Sequence, residues 1–335
     1  MADGLARPDK LVTVFGGSGF LGRHVVRALA RQDWRIRVAV RRPGLAFHLQ
    51  PLGKVGQIHA VPANVRDPRS IEHALRDAQA AVNLVGILEE SGAQRFEAIH
   101  HAGAQNVAAA AKKMGIDTLV HISALGADPS AISVYLQTKA FGEAAVRQAL
   151  PGTVILRPSI AFGPEDRFFN RFAAMARLMP VLPLIGGGET KLQPVFAGDV
   201  ATAVAVALDG RAKPGAIYEL GGPEVATMRQ IMAFVLSATG RRRRLVSLSY
   251  ERAKTIASIS EAVSKLTLGI LPGIFAITKD QVELLRHDNI VSPLAQAEGR
   301  TLAGLGIRPE PFETLVPSYI YRYRKGGQFA ELRTV

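Results

Sequence analysis

A glycine-rich turn near the start of the chain constrains the fold more than any other segment. Residues 16–22 read Gly-Gly-Ser-Gly-Phe-Leu-Gly and directly follow a short β-branched and apolar run, Leu11–Phe15. Gly16 permits a tight turn, Gly19 lets backbone N–H groups approach a ligand, and Gly22 lets the next helix pack against the strand. Because a helix N-terminus attracts negative charge, the turn predicts a site for the pyrophosphate of a dinucleotide.

Strand and helix patterns alternate from this turn to about residue 160. Apolar strand-like runs such as Arg35–Val40, Ala80–Val85 and Thr118–Ile122 are separated by segments with helical spacing. This alternation is typical of βαβ units, which form a parallel sheet covered by helices on both faces. We therefore expect an α/β fold, a Rossmann-type doubly wound parallel sheet, with a smaller, mostly helical C-terminal lobe.

The alternation ends after Pro158, where proline and glycine become frequent. We expect a dinucleotide-binding domain made of residues 8–160 plus 190–220. Residues 161–189 plus 221–335 then form the C-terminal lobe and a partner-binding tail.

Three local patterns lie within these later segments. Asp199 is expected to be the N-cap of a helix over Val200–Leu208, and Thr227-Met-Arg-Gln230 is a capping box that opens another. Ile217–Leu220 has the composition of a further strand. Beyond Arg241 the pattern is mostly helical.

The end of the second strand indicates which dinucleotide is bound. NAD-binding proteins place an acidic residue there to hold the ribose 2′-hydroxyl, whereas this chain has Arg41 and Arg42 and no acid. A guanidinium group suits a phosphate monoester. We therefore predict NADPH, with Arg41 at the 2′-phosphate and Arg42 or Arg23 as a second contact. The alternative is that both arginines only solvate the end of a strand.

The residue pattern resembles the short-chain dehydrogenase/reductase superfamily in its extended and atypical branches. The resemblance rests on the glycine turn, the segment Asn83–Gly86, the segment Tyr135-Leu-Gln-Thr-Lys139, and Arg157-Pro158-Ser159. It implies that Tyr135 is a general acid or base and that Lys139 lowers the pKa of the phenol and binds ribose. It also implies adenine contacts after the third strand, at Asn64 and Val65.

The resemblance supplies the remaining cofactor contacts. The full expected set is Gly16, Ser18, Gly19, Phe20, Leu21, Gly22, Arg41, Arg42, Asn64, Val65, Leu84, Val85, Gly86, Ser123, Tyr135, Lys139, Pro158, Ser159 and Ile160.

The catalytic hydroxyl departs from this superfamily's pattern. Active members carry a serine or threonine late in the run after the fifth strand, whereas here the run reads Ser123-Ala124-Leu125. An active enzyme would use Tyr135, Lys139 and Ser123. We expect turnover to be absent or very slow, with Tyr135 and Lys139 serving as ribose contacts.

A narrower resemblance covers nearly the whole chain. The segments 135–143, 162–170, 193–200 and 278–283, with the end Tyr321-Arg-Tyr-Arg through Val335, resemble the nucleotide-binding accessory subunits of respiratory complex I. That family binds NADPH without a demonstrated turnover role at the junction of the peripheral arm and the membrane. The resemblance implies other complex I subunits as partners. The N-terminus lacks the pattern of a transit peptide, so we expect the cytoplasmic face of a bacterial inner membrane, or the matrix side in a mitochondrion.

The formal net charge of +13 predicts an acidic partner. Basic stretches are not interleaved with aromatic residues, so nucleic acid is not expected. The apolar run Leu266–Ile277 could instead lie against a membrane interface with anionic lipid, or form part of the lobe's core. We expect residues from about 250 onward to contact partner chains or lipid. The run Arg241–Arg244 is interpreted as a solvated loop.

Metal and thiol chemistry find no support in the sequence. The chain has no cysteine, and His100 and His101 are adjacent on a helix, so they point about a hundred degrees apart and do not chelate together. We interpret this pair as helix capping or surface residues.

Three functions therefore stay open. The first is a non-catalytic, NADPH-holding complex I subunit. The others are an NADPH-dependent reductase or epimerase acting on a small molecule, and an NADPH-sensing regulator.

Overall fold

The β-branched and aliphatic runs form parallel strands. The computed structural model describes residues 10–266 and 277–327, with the side chains of 260–266 left out. The strands are β1 (Leu11–Phe15), β2 (Arg35–Val40), β3 (Ile58–Pro62), β4 (Ala80–Asn83), β5 (Thr118–Ile122), β6 (Val154–Pro158), β7 (Ala161–Phe162), β8 (Val181–Ile185), β9 (Lys191–Leu192), β10 (Val195–Phe196), β11 (Ile217–Leu220), β12 (Ala226–Thr227) and β13 (Arg244–Leu248).

Seven strands form one parallel sheet in the order β11-β6-β5-β4-β1-β2-β3. The strand order reverses between β1 and β4. Phe15 at the end of β1 is paired in register with Asn83 of β4 on one side and with Ala39 of β2 on the other. In open α/β sheets a ligand binds at the carboxyl ends of the strands beside such a reversal. The expected Rossmann-type doubly wound fold is confirmed, and it predicts where the site lies.

Helices cover both faces of this sheet. In chain order, the helices of the described residues in both units are α1 (Phe20–Arg31), α2 (Pro68–Leu75), α3 (Ala102–Lys113), α4 (Val134–Ala149), α5 (Phe169–Leu178), α6 (Ala197–Leu208), α7 (Met228–Ala238), α8 (Tyr250–Leu266), α9 (Lys279–Leu284), α10 (Pro293–Ala297), α11 (Phe312–Leu315) and α12 (Pro317–Ile320). Helices α1 and α6 pack together, and α2, α3 and α4 form a second layer. A π-helical turn, Glu97–His101, precedes α3.

The chain divides into two compact units. The first comprises residues 1–158, 197–220 and 292–308, and the second comprises 159–196, 221–291 and 309–335. Residues 292–308, which the sequence analysis assigned to the lobe, return to the first unit. There Ser292 donates its backbone N–H to Glu219, and Arg300 donates to the carbonyl of Ile217 on the edge strand β11.

The second unit has an aromatic core of its own. Phe169 contacts both Phe162 and Phe312 there, and Val316 and Ile320 of the same core are fully buried. The segment 309–323 therefore packs within the folded second unit.

One local expectation is wrong. Helix α6 begins at Ala197, so Asp199 lies in its first turn, where a carboxylate is favoured by the helix dipole, and is not its N-cap. The described residues after Arg241 are mostly helical, as expected, with one strand, β13, that pairs in parallel with β8. The capping box Thr227–Gln230 is confirmed at the start of α7.

Two expectations fall on residues outside the described ranges. Most of the run Leu266–Ile277 lies there, and so does the end of the chain after residue 327. Among the helices of residues 10–266 and 277–327, none has the length and apolar character that crossing a bilayer requires.

Candidate functional site

The glycine turn forms a close backbone cradle after β1. Gly16 has φ of +78°, a conformation that side chains with a Cβ rarely adopt. A Cβ on Gly22 would lie 2.5 Å from the carbonyl oxygens of Gly16 and Gly17, so only glycine fits where α1 crosses the turn. Gly19 precedes α1, and no side chain of the described residues caps its N-terminus. The backbone N–H groups of Phe20 and Leu21 therefore start a helix suited to a pyrophosphate.

A cavity of about 430 Å³ opens beside this cradle, at the ends of β2 and β3. Its lining is Arg41, Pro62, Ala63, Asn64, Asp67, Ser70 and His73. Arg41 is exposed and reaches this cavity, whereas Arg42 is not among the residues that line it. Ser70 and His73 were not predicted as site residues. They lie one helical turn apart, on the face of α2 that lines the cavity. That i, i+3 spacing is the signal that could have identified them.

Local hydrogen bonds fix the shape of the cavity. The Asn64 side-chain oxygen accepts the backbone N–H of Arg66 at 3.1 Å, and the backbone N–H of Asn64 donates to the Ser70 hydroxyl at 3.0 Å. The Asp67 carboxylate accepts the N–H of Arg69 and caps α2. Val65 is buried in the core beside Ile71. Asn64 thus faces the cavity, while the Val65 side chain packs inward.

The end of β4 carries a second hydrogen-bond system. Asn83 is buried, and its amide nitrogen lies 3.2 Å from Nδ1 of His121. Its amide oxygen accepts the N–H of Val85 at 3.1 Å, which turns the chain at Leu84 toward the carboxyl edge. A Cβ on Gly86 would lie 3.3 Å from Nζ of Lys139. The segment Leu84–Gly86 therefore passes directly against the lysine.

Tyr135 and Lys139 lie one turn apart on α4, as the sequence analysis expected. Nζ of Lys139 lies 6.0 Å from the Tyr135 ring and donates to the carbonyl of Ile122 at 3.2 Å. Burial lowers the pKa of Lys139 from its ordinary value to about 8. Among the described residues, the Lys139 ammonium group donates one hydrogen bond, to this carbonyl. Because an ammonium group has three N–H donors, the other two can donate to ribose hydroxyls.

His100 belongs to this site, which sequence reasoning missed. Its side chain is only 1% exposed, so the interpretation as a capping or surface residue is wrong for His100, although His101 is partly exposed beside Glu97. Nε2 accepts the N–H of Ile87 at 3.0 Å, and the ring packs edge-on against Tyr135 at 5.2 Å between centroids. Burial, followed by the charge of Lys139, lowers the pKa of His100 to about 2. The imidazole is therefore neutral and holds the turn after Gly86.

The hydroxyl position after β5 differs from that of an active reductase. Ser123 is buried and its Oγ has no hydrogen-bond partner among the described residues. Ala124 and Leu125 are buried, and Leu125 donates its backbone N–H to the carbonyl of Pro158 at 3.0 Å. A buried hydroxyl without a partner is costly unless a ligand supplies one. The orphaned Ser123 hydroxyl and the glycine cradle both fit a bound dinucleotide.

The segment after β6 carries the last three of the expected cofactor contacts, Pro158, Ser159 and Ile160. Pro158 ends the strand, and the Ser159 hydroxyl donates to the side chain of Asn289 at 2.5 Å. Ile160 packs against the aromatic core of the second unit. The structure thus gives both side chains intramolecular partners. No group of metal-binding side chains occurs in the described part of the chain.

Comparison with known proteins bears on these features. The family described as NAD dependent epimerase/dehydratase matches residues 12–221. Over 95% of its length the chain is 34% identical to mitochondrial NADH dehydrogenase (ubiquinone) 1 alpha subcomplex subunit 9 of Arabidopsis thaliana, of which 79% is covered. It is 30% identical to the 40 kDa subunit of NADH-ubiquinone oxidoreductase of Neurospora crassa, over 95% of this chain and 80% of that one.

A solved structure with a similar fold is the NADPH-dependent quinone oxidoreductase QOR2 of Escherichia coli complexed with NADPH. It has a TM-score of 0.69 and 19% sequence identity, and the match covers 92% of this chain and 99% of that chain. At this identity the similarity establishes the fold alone.

Proposed function

The chain belongs to the NAD dependent epimerase/dehydratase family and, within it, to the family of the mitochondrial NADH dehydrogenase subunits, and on that premise we propose that it is an NADPH-holding accessory subunit of respiratory complex I. The observation that carries the proposal is the reach of the similarity. The match to the general family ends at residue 221, whereas the similarity to the plant subunit covers 95% of the chain. The similarity to the complex I subunits therefore includes the second unit, and at 34% its identity is higher than the 19% shared with the solved quinone oxidoreductase.

The cofactor of this proposal is NADPH. Arg41 lines the cavity at the ends of β2 and β3, together with the imidazole of His73. The one carboxylate in the lining, Asp67, is engaged in capping α2. A guanidinium group at this cavity favours a phosphate monoester over a ribose hydroxyl. Gly16–Gly22 would hold the pyrophosphate and Lys139 the nicotinamide ribose.

The subunit has no turnover of its own in this proposal. The dinucleotide supplies hydride chemistry when it is bound, but an acceptor carbonyl also needs a hydroxyl donor beside Tyr135. Ala124 and Leu125 occupy the late positions, and Ser123 is buried. Tyr135 and Lys139 then orient the ribose. The bound cofactor stabilises the fold by mass action.

The location is the peripheral side of the membrane, at the junction of the peripheral arm and the membrane arm. The partners in this proposal are other subunits of complex I. In a bacterium this is the cytoplasmic face of the inner membrane, and in a mitochondrion it is the matrix side.

Purification from native membranes tests this function. We expect an affinity-tagged chain, extracted with a mild detergent, to copurify with NADH:quinone oxidoreductase activity and with NADPH in equal amount to the tagged chain. A protein recovered only as a free monomer or homodimer contradicts the complex I proposal. Rapid oxidation of NADPH by quinones or carbonyl compounds that is abolished in Tyr135→Phe would instead support the reductase alternative.

A further inference from the structure

A cluster of arginines lies on the second unit, far along the sequence from the cofactor residues. We call it the arginine patch, and it comprises Arg177, Arg241, Arg242, Arg243 and Arg244. Sequence analysis interpreted the run 241–244 as a solvated loop, but the structure holds two of its side chains in place. Arg241 donates through Nε to the carbonyl of Tyr323, and Arg243 donates through Nε to the carbonyl of Ala176, both at 2.9 Å.

Within residues 10–266 and 277–327, no carboxylate forms an ion pair with the arginine patch. Other cations of the second unit do have such partners: Arg229 pairs with Glu189, and Lys254 and Arg286 pair with glutamates on α8 and α9. Burial and the charges of Arg243 and Arg177 lower the pKa of Arg241. The arginines therefore repel one another, and an anion from outside the unit would relieve this repulsion.

Apolar side chains are interleaved with these arginines. Leu178 follows Arg177 and is 60% exposed. In the parallel pair of β8 and β13, Val181 is registered with Arg244, and Val246 lies two residues further along β13 on the same face as Arg244. Val246 is 48% exposed, and Val181 is also exposed. The surface thus presents guanidinium groups and aliphatic side chains side by side.

This combination selects one kind of partner. A single-stranded nucleic acid would be expected to meet aromatic stacking platforms, and the patch has none among its own side chains. An acidic protein would pair with the arginines but would not need the exposed aliphatic residues between them. A membrane surface of anionic lipid suits both the arginines and the aliphatic residues. Phosphate headgroups bind guanidinium groups, and the boundary of the acyl chains accepts small apolar side chains.

We propose that the arginine patch, with Leu178, Val181 and Val246, is a docking surface for anionic phospholipid headgroups. The surface lies wholly in the second unit and uses none of the cofactor residues, so this inference is independent of the proposed function. It also places lipid contact apart from the segment 266–277, for which the sequence analysis left both lipid contact and a position in the core open.

Vesicle flotation of the purified full-length chain tests the proposal. We expect the protein to float with vesicles of phosphatidylcholine and phosphatidylglycerol, and not with vesicles of phosphatidylcholine alone. Each arginine near an anionic surface contributes about fivefold to binding, so R242Q/R244Q should lower the partition coefficient roughly 25-fold. Added salt should weaken the binding of the native protein, since both arginines are exposed.

The matched control removes two exposed arginines from α1 of the first unit, as R27Q/R31Q, and so changes the net charge equally. This control should bind anionic vesicles nearly as well as the native chain. Leu178→Ser should weaken vesicle binding without altering its salt dependence. NADPH affinity, measured in parallel, should be the same in all these variants and shows that each is folded.

Two outcomes overturn the proposal. One is equal loss of vesicle binding in R242Q/R244Q and R27Q/R31Q, which would mean that net charge alone attracts the protein. The other is a native protein that ignores both kinds of vesicle but binds polyglutamate through Arg242 and Arg244, which would make the surface a site for an acidic protein. Neither outcome touches the copurification test of the complex I proposal.

Discussion

At the scale of single residues, the site is defined by what surrounds its charges. Arg41 and Arg42 are neighbours in sequence and both are exposed, but Arg41 alone of the two lines the cavity. Lys139 is buried with one carbonyl partner, and the two histidines near it, His100 and His121, are neutral because burial and the lysine charge lower their pKa values. Ionisable groups whose pKa values are shifted by burial and by neighbouring charges are typical of binding sites.

Arg41→Ala should weaken the binding of NADPH much more than the binding of NADH. A charge-assisted hydrogen bond contributes about 1.5–3 kcal/mol, so we expect the Kd for NADPH to rise roughly 10- to 100-fold and the Kd for NADH to change little. Fluorescence titration of the two cofactors measures both values. Arg42→Ala is the matched control and should have a smaller effect. Equal affinity of the native protein for NADPH and NADH would exclude the NADPH assignment.

Lys139→Met should stabilise the protein without cofactor and weaken dinucleotide binding. The folded pKa of about 8 lies below the ordinary value of 10.5, so the unfolded chain binds more protons between these values. The native protein should therefore gain stability as pH rises from 8 to 10.5, and the methionine variant should lack this gain. From the shift we expect the variant to be more stable at pH 7 by about 1–3 kcal/mol. Urea unfolding at several pH values measures it, and an unchanged or lower stability would show that the Ile122 contact dominates.

At the scale of elements, a hydrogen-bond cluster fixes the last helices to the second unit. The Asp166 carboxylate accepts the N–H groups of Gly163, Phe168 and Asn170 at 2.9–3.2 Å and the hydroxyl of Tyr319 at 2.5 Å. Burial raises the pKa of this carboxyl, and the hydrogen bonds offset part of the cost. The motif that sequence reasoning assigned to the complex I resemblance therefore has a structural role. It joins the start of α5 to α12.

Tyr319→Phe should destabilise the second unit. The change removes a hydrogen bond to a buried carboxylate, which costs about 1–3 kcal/mol in the free energy of unfolding. Urea unfolding followed by circular dichroism measures the loss. Tyr321→Phe is the control, because that side chain is partly exposed and should change stability little. Equal effects of the two substitutions would show that the Asp166 contact is not stabilising.

Truncation after Ile307 should unfold the second unit. It removes Phe312, Val316 and Ile320, all buried, and the loss of a single such aromatic side chain costs about 3–5 kcal/mol. Loss of membrane association in this truncation would therefore not identify a partner-binding tail. Limited proteolysis should cut the truncated chain within residues 159–196 and 221–291, and should leave residues 10–158 and 197–220 protected. Equal protection of both regions would show that the second unit does not need its last helices.

At the scale of the whole molecule, the family assignment joins a dinucleotide fold to complex I. The +13 charge suits a protein that works among acidic neighbours. The arginine patch gives part of this charge a defined location. The cofactor cavity lies in the first unit and the arginine patch in the second, so cofactor binding and surface contact can be tested by separate substitutions.

NADPH should raise the unfolding temperature of the full chain more than NADH does. A ligand at about 100 times its Kd stabilises the folded state by about 2.7 kcal/mol. Differential scanning fluorimetry with equal concentrations of the two dinucleotides makes this measurement. Arg41→Ala should reduce the difference between them, and R242Q/R244Q should leave it intact. Equal shifts by both dinucleotides would contradict the NADPH proposal at the level of the intact protein.

The sequence by itself determined the features that depend on local chemistry. The glycine spacing of residues 16–22, the alternating strands and helices, and the i, i+4 pair Tyr135 and Lys139 all appear where they were predicted. Such features are set by the backbone conformations and periodicities that a short segment allows, so a short segment is enough to read them. The resemblance to the short-chain dehydrogenase/reductase superfamily, and not local chemistry, identified Ala124 and Leu125 as residues in place of a hydroxyl.

Only the tertiary structure decided which distant groups meet. His73 joins Arg41 at one cavity because α2 is folded against the end of β2, and His100 reaches the turn after Gly86 because a π-helical turn directs it inward. In the second unit, Arg241 and Arg243 donate to the backbone carbonyls of Tyr323 and Ala176, although the sequence predicted a solvated loop for the run 241–244. Each case depends on contacts between residues far apart in the chain. Burial and hydrogen bonding at that separation arise only when the elements pack, and no local pattern encodes them.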